Sequence, residues 1–579
     1  MITHIRKVLA FGLSSTLFLS GCGTGLTLTP LPVAPTPTAT TAQAAIKHIV
    51  VIFPENISFD HYFGTYPNAA NLPTDKVQFT AAAGTPIPDN YVSNPTLLTA
   101  NPNLNTANNA TLKAGSLSYT SEAFNPFRLD ILQAATEDQD HSYGPEQLAF
   151  DGGKLDLFPL SVGTPDLGES ATLAANTSAP PAANTTALTM GYFDGNTVTA
   201  MWNYAQHYAL NDHSFGTTFG ASTQGAINLI SGQTNGVINQ STGAAADIVA
   251  DGNGGYTDIG DADPAGDICT TSSANFSMSG KNIGDLLNAA GVSWGWFQGG
   301  FDLGVTNSNG TTGCKRTTTS SVTNVTEADY IQHHEPFQYY ASTQNLNHTR
   351  PASVAVIGTK ADTGAGTANH QYDTLDFNAA LDAGNLPAVS FLKAPGYEDG
   401  HAGYSDPIDE QNFIVTEINA IQNSSFWSST AIIIAYDDSD GWYDHVSNFV
   451  NGSNTASDST FCNQTSATRT GVTSGTTPVQ GLCGFGPRLP LLVISPWAKA
   501  NFIDNTVTDQ SSITRFIEDV FLNGTSLGGG SYDTEAGSIN NMFNFSNVAA
   551  PPSPNNLQLS PSTGAVVSST APATTTTAQ

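Results

Sequence analysis

Basic side chains are scarce in this sequence: 17 Lys and Arg stand against 48 Asp and Glu in 579 residues, a formal net charge of −31. A nucleic-acid binder needs a basic footprint, and none is visible. The same imbalance repels an anionic membrane surface. Charge of either sign is sparse, at 11% of residues against about 25% in an average domain. Thr, Ser, Asn, Ala and Gly fill the gap, a composition that suits an exported protein with long uncharged loops. No apolar run reaches the roughly 20 residues that a membrane-spanning helix takes. No Cys-x-x-Cys pair occurs among the five cysteines, which argues against a zinc ribbon. No internal repeat is visible.

What is present begins at the N-terminus. Arg6 and Lys7 precede the apolar residues 8–19, and Leu19-Ser20-Gly21-Cys22 follows. This is the layout of an export signal, residues 1–21. Its end resembles a bacterial lipoprotein cleavage box, in which Cys22 becomes the lipidated N-terminus. Ordinary signal cleavage nearby is the plainer alternative. A lipid there anchors the chain to a membrane without spanning it, in the periplasm or on the cell surface. An even number of cysteines remains, and an exported chain favours disulfides. Sequence proximity pairs Cys269 with Cys314 and Cys462 with Cys483. Residues 22–45 and 549–579, rich in Thr, Pro and Ala, read as a disordered tether and tail. The folded body is then residues 46–548.

Inside the body, short apolar runs alternate with helical patterns. Residues 46–53 (IKHIVVIF), 352–357 (ASVAVI), 388–392 (AVSFL), 430–436 (TAIIIAY) and 489–494 (LPLLVI) read as buried strands. Ile414, Ile418 and Ile421 recur at helical spacing, as do Ile513, Phe516, Ile517 and Phe521. Buried strands alternating with helices predict an α/β domain with a largely parallel sheet. The polar stretches 101–117 and 235–279 read as surface insertions.

In such sheets, sites form beyond the carboxyl ends of the strands. After residues 46–53 comes Glu55-Asn56, a carboxylate and an amide that offer two oxygens to a hard cation. A turn with a helix cap is the plainer reading. After residues 430–436 come Asp437 and Asp438. Adjacent carboxylates at the end of a buried strand require neutralising, and a metal does this. Residues 219–225, Phe-Gly-Ala-Ser-Thr-Gln-Gly, read as a turn entering a helix with Ser222 at its start. That position exposes a nucleophile and offers backbone N–H groups to a phosphate; a simple helix cap is the alternative. Of twelve histidines, His141, His333, His334 and His401 sit near such segments. Histidine both neutralises phosphoryl oxygens and protonates a leaving group. His207, His213 and His348 have no such context and read as structural.

Taken in order, these segments resemble the bacterial phosphoesterase family of non-specific phospholipases C and acid phosphatases. IKHIVVIFPENISFDHYFGTYP, DQDHSYGPEQLAFDGGKLDLF, FGASTQGAINLISGQ, SFLKAPGYEDGHAGYSD, AIIIAYDDSDGWYDHV and GFGPRLPLLVISPWAKANFID carry the resemblance. It implies an alkaline-phosphatase-like fold, a central sheet with helices on both faces. It implies Glu55, Asn56, Asp437 and Asp438 as metal ligands. Ser222 becomes the nucleophile and a further ligand, and His141, His333, His334 and His401 surround the phosphate. The sequence departs where Ile57 replaces an Arg, Ala221 a Pro, and Gln510 a His.

The expected chemistry is two-step hydrolysis through a phosphoserine, with His334 or His401 protonating the leaving alcohol. An all-oxygen donor set favours Ca²⁺ or Mg²⁺, and Zn²⁺ also tolerates carboxylates. The paired Asp, and the end of the chain soon after the body, favour an acid phosphatase acting on monoesters. A phospholipase C acting on a choline lipid is the alternative. It calls for an aromatic cage, for which Trp294, Trp296, Phe297 and Trp442 are candidates. A non-catalytic surface lipoprotein would also suit the charge and the tether, but leaves nucleophile, carboxylates and histidines unexplained. Nothing in the sequence indicates the oligomeric state.

Overall fold

A computed structural model describes residues 39–108, 124–165, 181–242, 246–250, 255–447, 485–546 and 555–570. Among these, eight strands form one sheet: β1 (His48–Ile52), β2 (Ala209–Asn211), β3 (Trp294–Gln298), β4 (Gln371–Tyr372), β5 (Val389–Lys393), β6 (Thr430–Ala435), β7 (Leu491–Ile494) and β8 (Phe502–Asp504). Their order across the sheet is β4-β3-β5-β1-β6-β7-β2-β8. Only β7 runs against its neighbours; the other pairings are parallel. The fold is therefore the mixed α/β class with a mostly parallel sheet that the apolar runs predict.

Every residue of β5, β6 and β7 is buried. Both faces of the sheet are thus covered, which is why β6 reads TAIIIA as one continuous apolar run rather than an alternation. The helix Pro407–Asn423 starts with Pro at its first position, and the Asp406 side chain accepts from the Ile408 and Asp409 N–H groups. It buries Ile414, Ile418 and Ile421. The helix Ser511–Phe521 likewise buries Ile513, Phe516 and Ile517.

The structure departs from the sequence expectations in several places. Residues 352–357 are no strand: Val354–Val356 is a short 3-10 turn, exposed apart from its end at Ile357. The run is closed by Gly358 at φ +70°. Residues 39–45 are not part of a tether. Ala39–Ala45 is a helix that buries Ala42 and Ala45, and Gln43 donates to the Asp519 carbonyl (2.9 Å). Within the expected tail, Leu557–Leu559 and Val566–Ser569 form an antiparallel hairpin joined to the helix 407–423 through Asn419 and Gln422. Residues 101–108 are packed in, with Asn103 wholly buried and bonded to the Leu155 carbonyl. Residues 235–279 build a three-stranded sheet and a hairpin of their own. Cys269 and Cys314 form a disulfide, as proximity suggested. Cys462, Cys483 and Cys22 lie outside the described residues.

The short helix Phe59–Phe63, which follows β1, holds a buried histidine with a measurable consequence. The His61 ring stacks on Trp442 at 4.0 Å, and its Nδ1 faces the Gly191 carbonyl at 2.8 Å. Burial holds its pKa down to about 3 from 6.5, with the carbonyl opposing. Between those values the unfolded chain takes a proton that the folded chain refuses. Stability is therefore complete above pH 6.5 and is lost as pH falls toward 3, by roughly 3 kcal/mol at pH 4. The melting temperature of His61→Gln should fall less between pH 7 and pH 4 than that of the wild type. An equal fall in both proteins would assign the acid sensitivity to other groups.

Candidate active site

The site lies at the carboxyl ends of β1, β5 and β6, where the parallel strands deliver their following loops together. Glu55 and Asn56 follow β1, Lys393 ends β5, Asp399 and His401 come next, and residues 437–440 follow β6. Asn56 (φ +63°) and Asp440 (φ +52°) take left-handed conformations that Asn and Asp tolerate. The turn this creates points the Asn56 N–H at Asp437 Oδ1 (2.9 Å) and its amide at Asp440 Oδ1 (3.3 Å).

Ser222 is the first residue of the helix Ser222–Ser231. Its Oγ lies 2.8 Å from Glu55 Oε2, 3.2 Å from Asp438 Oδ2 and 3.4 Å from Asn56 Oδ1. One hydroxyl proton thus faces three oxygen acceptors. The helix can approach this closely because position 225 is glycine: a Cβ there would stand 2.2 Å from the Asp437 carbonyl oxygen. Glu146 clamps the approach. Its carboxylate accepts from the Gly220 N–H (2.9 Å) and the Ser439 hydroxyl (2.7 Å), joining the turn before Ser222 to the Asp437-Asp438 turn. Burial pushes its pKa up to about 7. The backbone N–H groups of Ala221 and Thr223 are not open to a phosphate, as the sequence had suggested. The first donates to Gln224 Oε1 and the second to Asp261 Oδ1.

The four histidines converge here. His334 Nδ1 faces Glu55 Oε1 at 3.2 Å and Asp399 at 3.9 Å, and its buried Nε2 has no partner. His333 packs edge-on to it (4.6 Å between centroids), with Nδ1 3.8 Å from Asp263. His141 and His401 sit 5.6 Å apart on the other side. His401 turns Nδ1 to the Ala402 carbonyl, and His141 Nδ1 faces the Gln139 carbonyl (2.9 Å), Asp440 (3.2 Å) and Asp138 (3.3 Å). His141 is 13% and Asp138 48% exposed, so this side opens to solvent.

Buried acids crowd the floor. Burial raises the pKa of Asp399, Asp437, Asp438 and Asp440, and neighbouring carboxylates raise it further. Burial opposes ionisation of Glu55 too, but His334 and Lys393 outweigh it and hold its pKa well below the usual range. Lys393 is fully buried, in contact with Glu55 and 3.1 Å from Asp437 Oδ2. Five acids beside one lysine cannot all stay ionised out of water at low cost; protonation, the histidines His141 and His333 with their raised pKa values, or a bound cation must offset them. Oxygens of Glu55, Asn56 and Asp438 surround Ser222 Oγ and Asp437 lies beside Lys393, donor types that a hard divalent cation takes. The groups whose ligand atoms all lie within 4.8 Å of one another here are Glu55-His334-Asp399 and Asp138-His141-His401.

Every site residue singled out in the sequence is thus within this cluster. Lys393, Asp399, Asp440, Glu146 and Asp261 were missed. A lysine closing an otherwise apolar strand was the one legible signal among them. The aromatic cage does not form. Trp294, Trp296 and Phe297 lie on β3 in the core, with rings against His370 (4.5 Å), Phe391 (5.9 Å) and Tyr372 (5.0 Å), and Trp442 covers His61. Gln510 supports the floor from behind, donating to the Asp437 carbonyl (2.7 Å). Outside the site, His207 pairs with Asn555, His213 with Asp212 and His348 with Asp267.

Parts of the chain resemble known proteins. The chain is 35% identical over 143 residues to a non-hemolytic phospholipase C of Pseudomonas aeruginosa, which covers 24% of this chain and 20% of that protein. It is 27% identical over 247 residues to a non-hemolytic phospholipase C of Burkholderia pseudomallei, covering 41% and 29% respectively. The matched stretches thus span under a third of those relatives' own lengths. A solved structure from Vibrio parahaemolyticus, described as a protein in the alkaline phosphatase superfamily, covers 56% of this chain and 60% of its own at 14% identity, with a TM-score of 0.25. That score carries no argument about the fold. The family model described as the phosphoesterase family matches residues 46–522, most of the chain and all of the clustered residues, and the protein belongs to that family.

Proposed function

We propose that the protein is a cation-dependent phosphoric ester hydrolase that works through a phosphoserine at Ser222. The observation that carries this reading is one serine hydroxyl, at a helix start, within 3.4 Å of three acceptor oxygens. Glu55, Asn56, Asp437, Asp438 and Ser222 would hold a divalent cation, Ca²⁺, Mg²⁺ or Zn²⁺, which supplies positive charge to acidify the hydroxyl and offset the phosphoryl oxygens. Asp438 Oδ2, 3.2 Å away and raised in pKa by burial, takes the Ser222 proton, and Oγ attacks phosphorus in line with the leaving oxygen. The P–O bond to the alcohol breaks, and protonated His401 gives the alkoxide its proton. His141, His333 and His334 bind the phosphoryl oxygens. A water then attacks phosphorus and gives its proton to His401. Ser222 Oγ leaves and recovers its proton from Asp438. Phosphate or a phosphomonoester departs.

The first substrate class is a phosphomonoester, as for an acid phosphatase. The paired Asp437-Asp438 favours it, and the burial of Trp294, Trp296 and Phe297 removes the cage that a choline head group calls for. The second reading is a phospholipase C, which the names of the relatives favour. The export signal and a lipid on Cys22 belong to this proposal as well. No helix among the described residues is long and apolar enough to cross a membrane. The test compares p-nitrophenyl phosphate with p-nitrophenylphosphorylcholine, with Mg²⁺, Ca²⁺ or Zn²⁺ supplied, from pH 4 to 8. We expect kcat/KM to favour the monoester by about tenfold or more, and a chelator to abolish it. A preference for the choline ester would establish the second reading. Undiminished turnover of a chelated protein would sink the cation.

A further inference from the structure

We infer that Asp267 is a positioning residue: it sets the aim of His333 and His334 from outside the site, in a loop fastened by the Cys269–Cys314 disulfide. The inference rests on the reading of His334 as a phosphate-facing group.

Asp267 is wholly buried and takes four partners. Its Oδ1 accepts from the Cys269 N–H (2.7 Å), and its Oδ2 from the Tyr330 hydroxyl (3.0 Å) and the Gln338 amide (2.7 Å). His348 Nε2 lies 3.1–3.2 Å from both oxygens. Tyr330 and Gln338 bracket the segment that holds His333 and His334. One carboxylate therefore grips both ends of that segment. A second tie comes from the same loop, where the Cys269 carbonyl accepts from Gln332 Nε2 (2.8 Å). The loop also carries Asp263, which faces His333.

The grip is itself anchored. His348 Nδ1 faces the Phe301 carbonyl (2.9 Å), and its ring stacks on Phe301 at 4.0 Å. Phe301 packs edge-on against Tyr330. The disulfide joins Cys269 to Cys314, 45 residues on. Asp267, Cys269 and His348 have the spacing of a metal group, but the Cys269 sulfur is committed to the disulfide and offers no thiolate. Four well-placed donors on a buried carboxylate make a stiff support, and displacing a group by about 1 Å can cost about 100-fold in rate.

The test measures kcat and KM of the full chain on whichever p-nitrophenyl ester it turns over faster. The proteins are wild type, Asp267→Ala, Asp267→Asn, His334→Ala and the Asp267→Ala/His334→Ala double variant. We expect Asp267→Ala to lower kcat about tenfold or more, with KM within about twofold. Asp267→Asn keeps one acceptor oxygen and should fall between. In the His334→Ala background the Asp267 change should cost clearly less, by about threefold or more, because one of its two targets is gone. An equal loss in both backgrounds, or wild-type kcat in Asp267→Ala, overturns the inference while leaving the reading of His334 intact. Wild-type turnover in His334→Ala overturns both. Should Asp267→Ala fail to fold, reducing the disulfide replaces it: reduced wild type should lose turnover and reduced His334→Ala should lose less. Equal losses there count against the inference.

Discussion

Ser222→Ala should lower phosphoester turnover at least about 10³-fold in cation-loaded protein. No neighbouring group can take over the attack. Thr223 is next in sequence, but its hydroxyl is 2.8 Å from Asp261, and its N–H is bonded to the same oxygen. That side chain is buried with its hydroxyl committed to Asp261. The other hydroxyl nearby, Ser439, donates to Glu146. Removing Oγ also leaves the fold alone. The hydroxyl contributes one donated hydrogen bond in a cluster already overloaded with acceptors, so the melting temperature should stay within a few degrees of wild type. Trapping the labelled phosphoenzyme by acid quench checks the intermediate directly: label should appear on wild type and not on Ser222→Ala. Turnover within tenfold of wild type in the folded variant would remove Ser222 as nucleophile, and with it the two-step scheme.

The second large effect is expected at Lys393. Its ammonium is the one lysine or arginine charge buried among Glu55, Asp399 and Asp437. Met has a similar length and no charge. Lys393→Met therefore leaves the packing nearly unchanged but strips the acids of their compensation. Leaving buried charge unpaired in this way costs about 3–5 kcal/mol. A divalent cation bound to the same carboxylates restores much of that loss, because it supplies the missing positive charge. The melting gap between Lys393→Met and wild type should accordingly be wide in chelator and narrow with Mg²⁺ or Ca²⁺. Equal melting in chelator would mean that Lys393 does not compensate the acids. A gap of unchanged width on adding a cation that stabilises wild type would mean that lysine and cation act on different groups.

Both predictions use residues that the sequence exposes to different degrees. Ser222 stands in a Gly-flanked turn before an apolar helix, a pattern visible in the chain itself. Lys393 ends the run VSFLK, and its apolar neighbours dominate any reading of periodicity. That its charge faces Glu55 follows only from β1 lying beside β5 in the sheet. The stretch 235–279 shows the same limit from the other side. Its polarity suggested a surface insertion, yet Asp258, Asp261 and Asp263 fold back onto Gln224, Thr223 and His333. Polar residues that satisfy one another in a site look, in sequence, like polar residues that face water. The aromatic residues of β3 failed as a cage for the converse reason. A Trp in sequence carries no sign of whether its face meets a ligand or a neighbouring ring.

The sequence by itself determined the class of the fold and the inventory of chemistry. Continuous β-branched runs such as HIVVI and TAIIIA bury on both faces whatever surrounds them, because apolar surface leaves water in any compact arrangement. The acids that follow those runs must then sit at strand ends. Only the tertiary structure decided strand order, and strand order decided which ends meet. Placing β1 between β5 and β6 brings Glu55, Lys393 and Asp437 into contact across 382 positions of chain (437 − 55). The margins of the sheet were out of reach for a related reason. Gln371–Tyr372 and Ala209–Asn211 are too short to show a period, and they become strands only because a neighbour offers unpaired N–H and C=O groups. Charge balance in the site, and the aim of its histidines, are likewise pairwise properties in three dimensions, set by groups far apart along the chain.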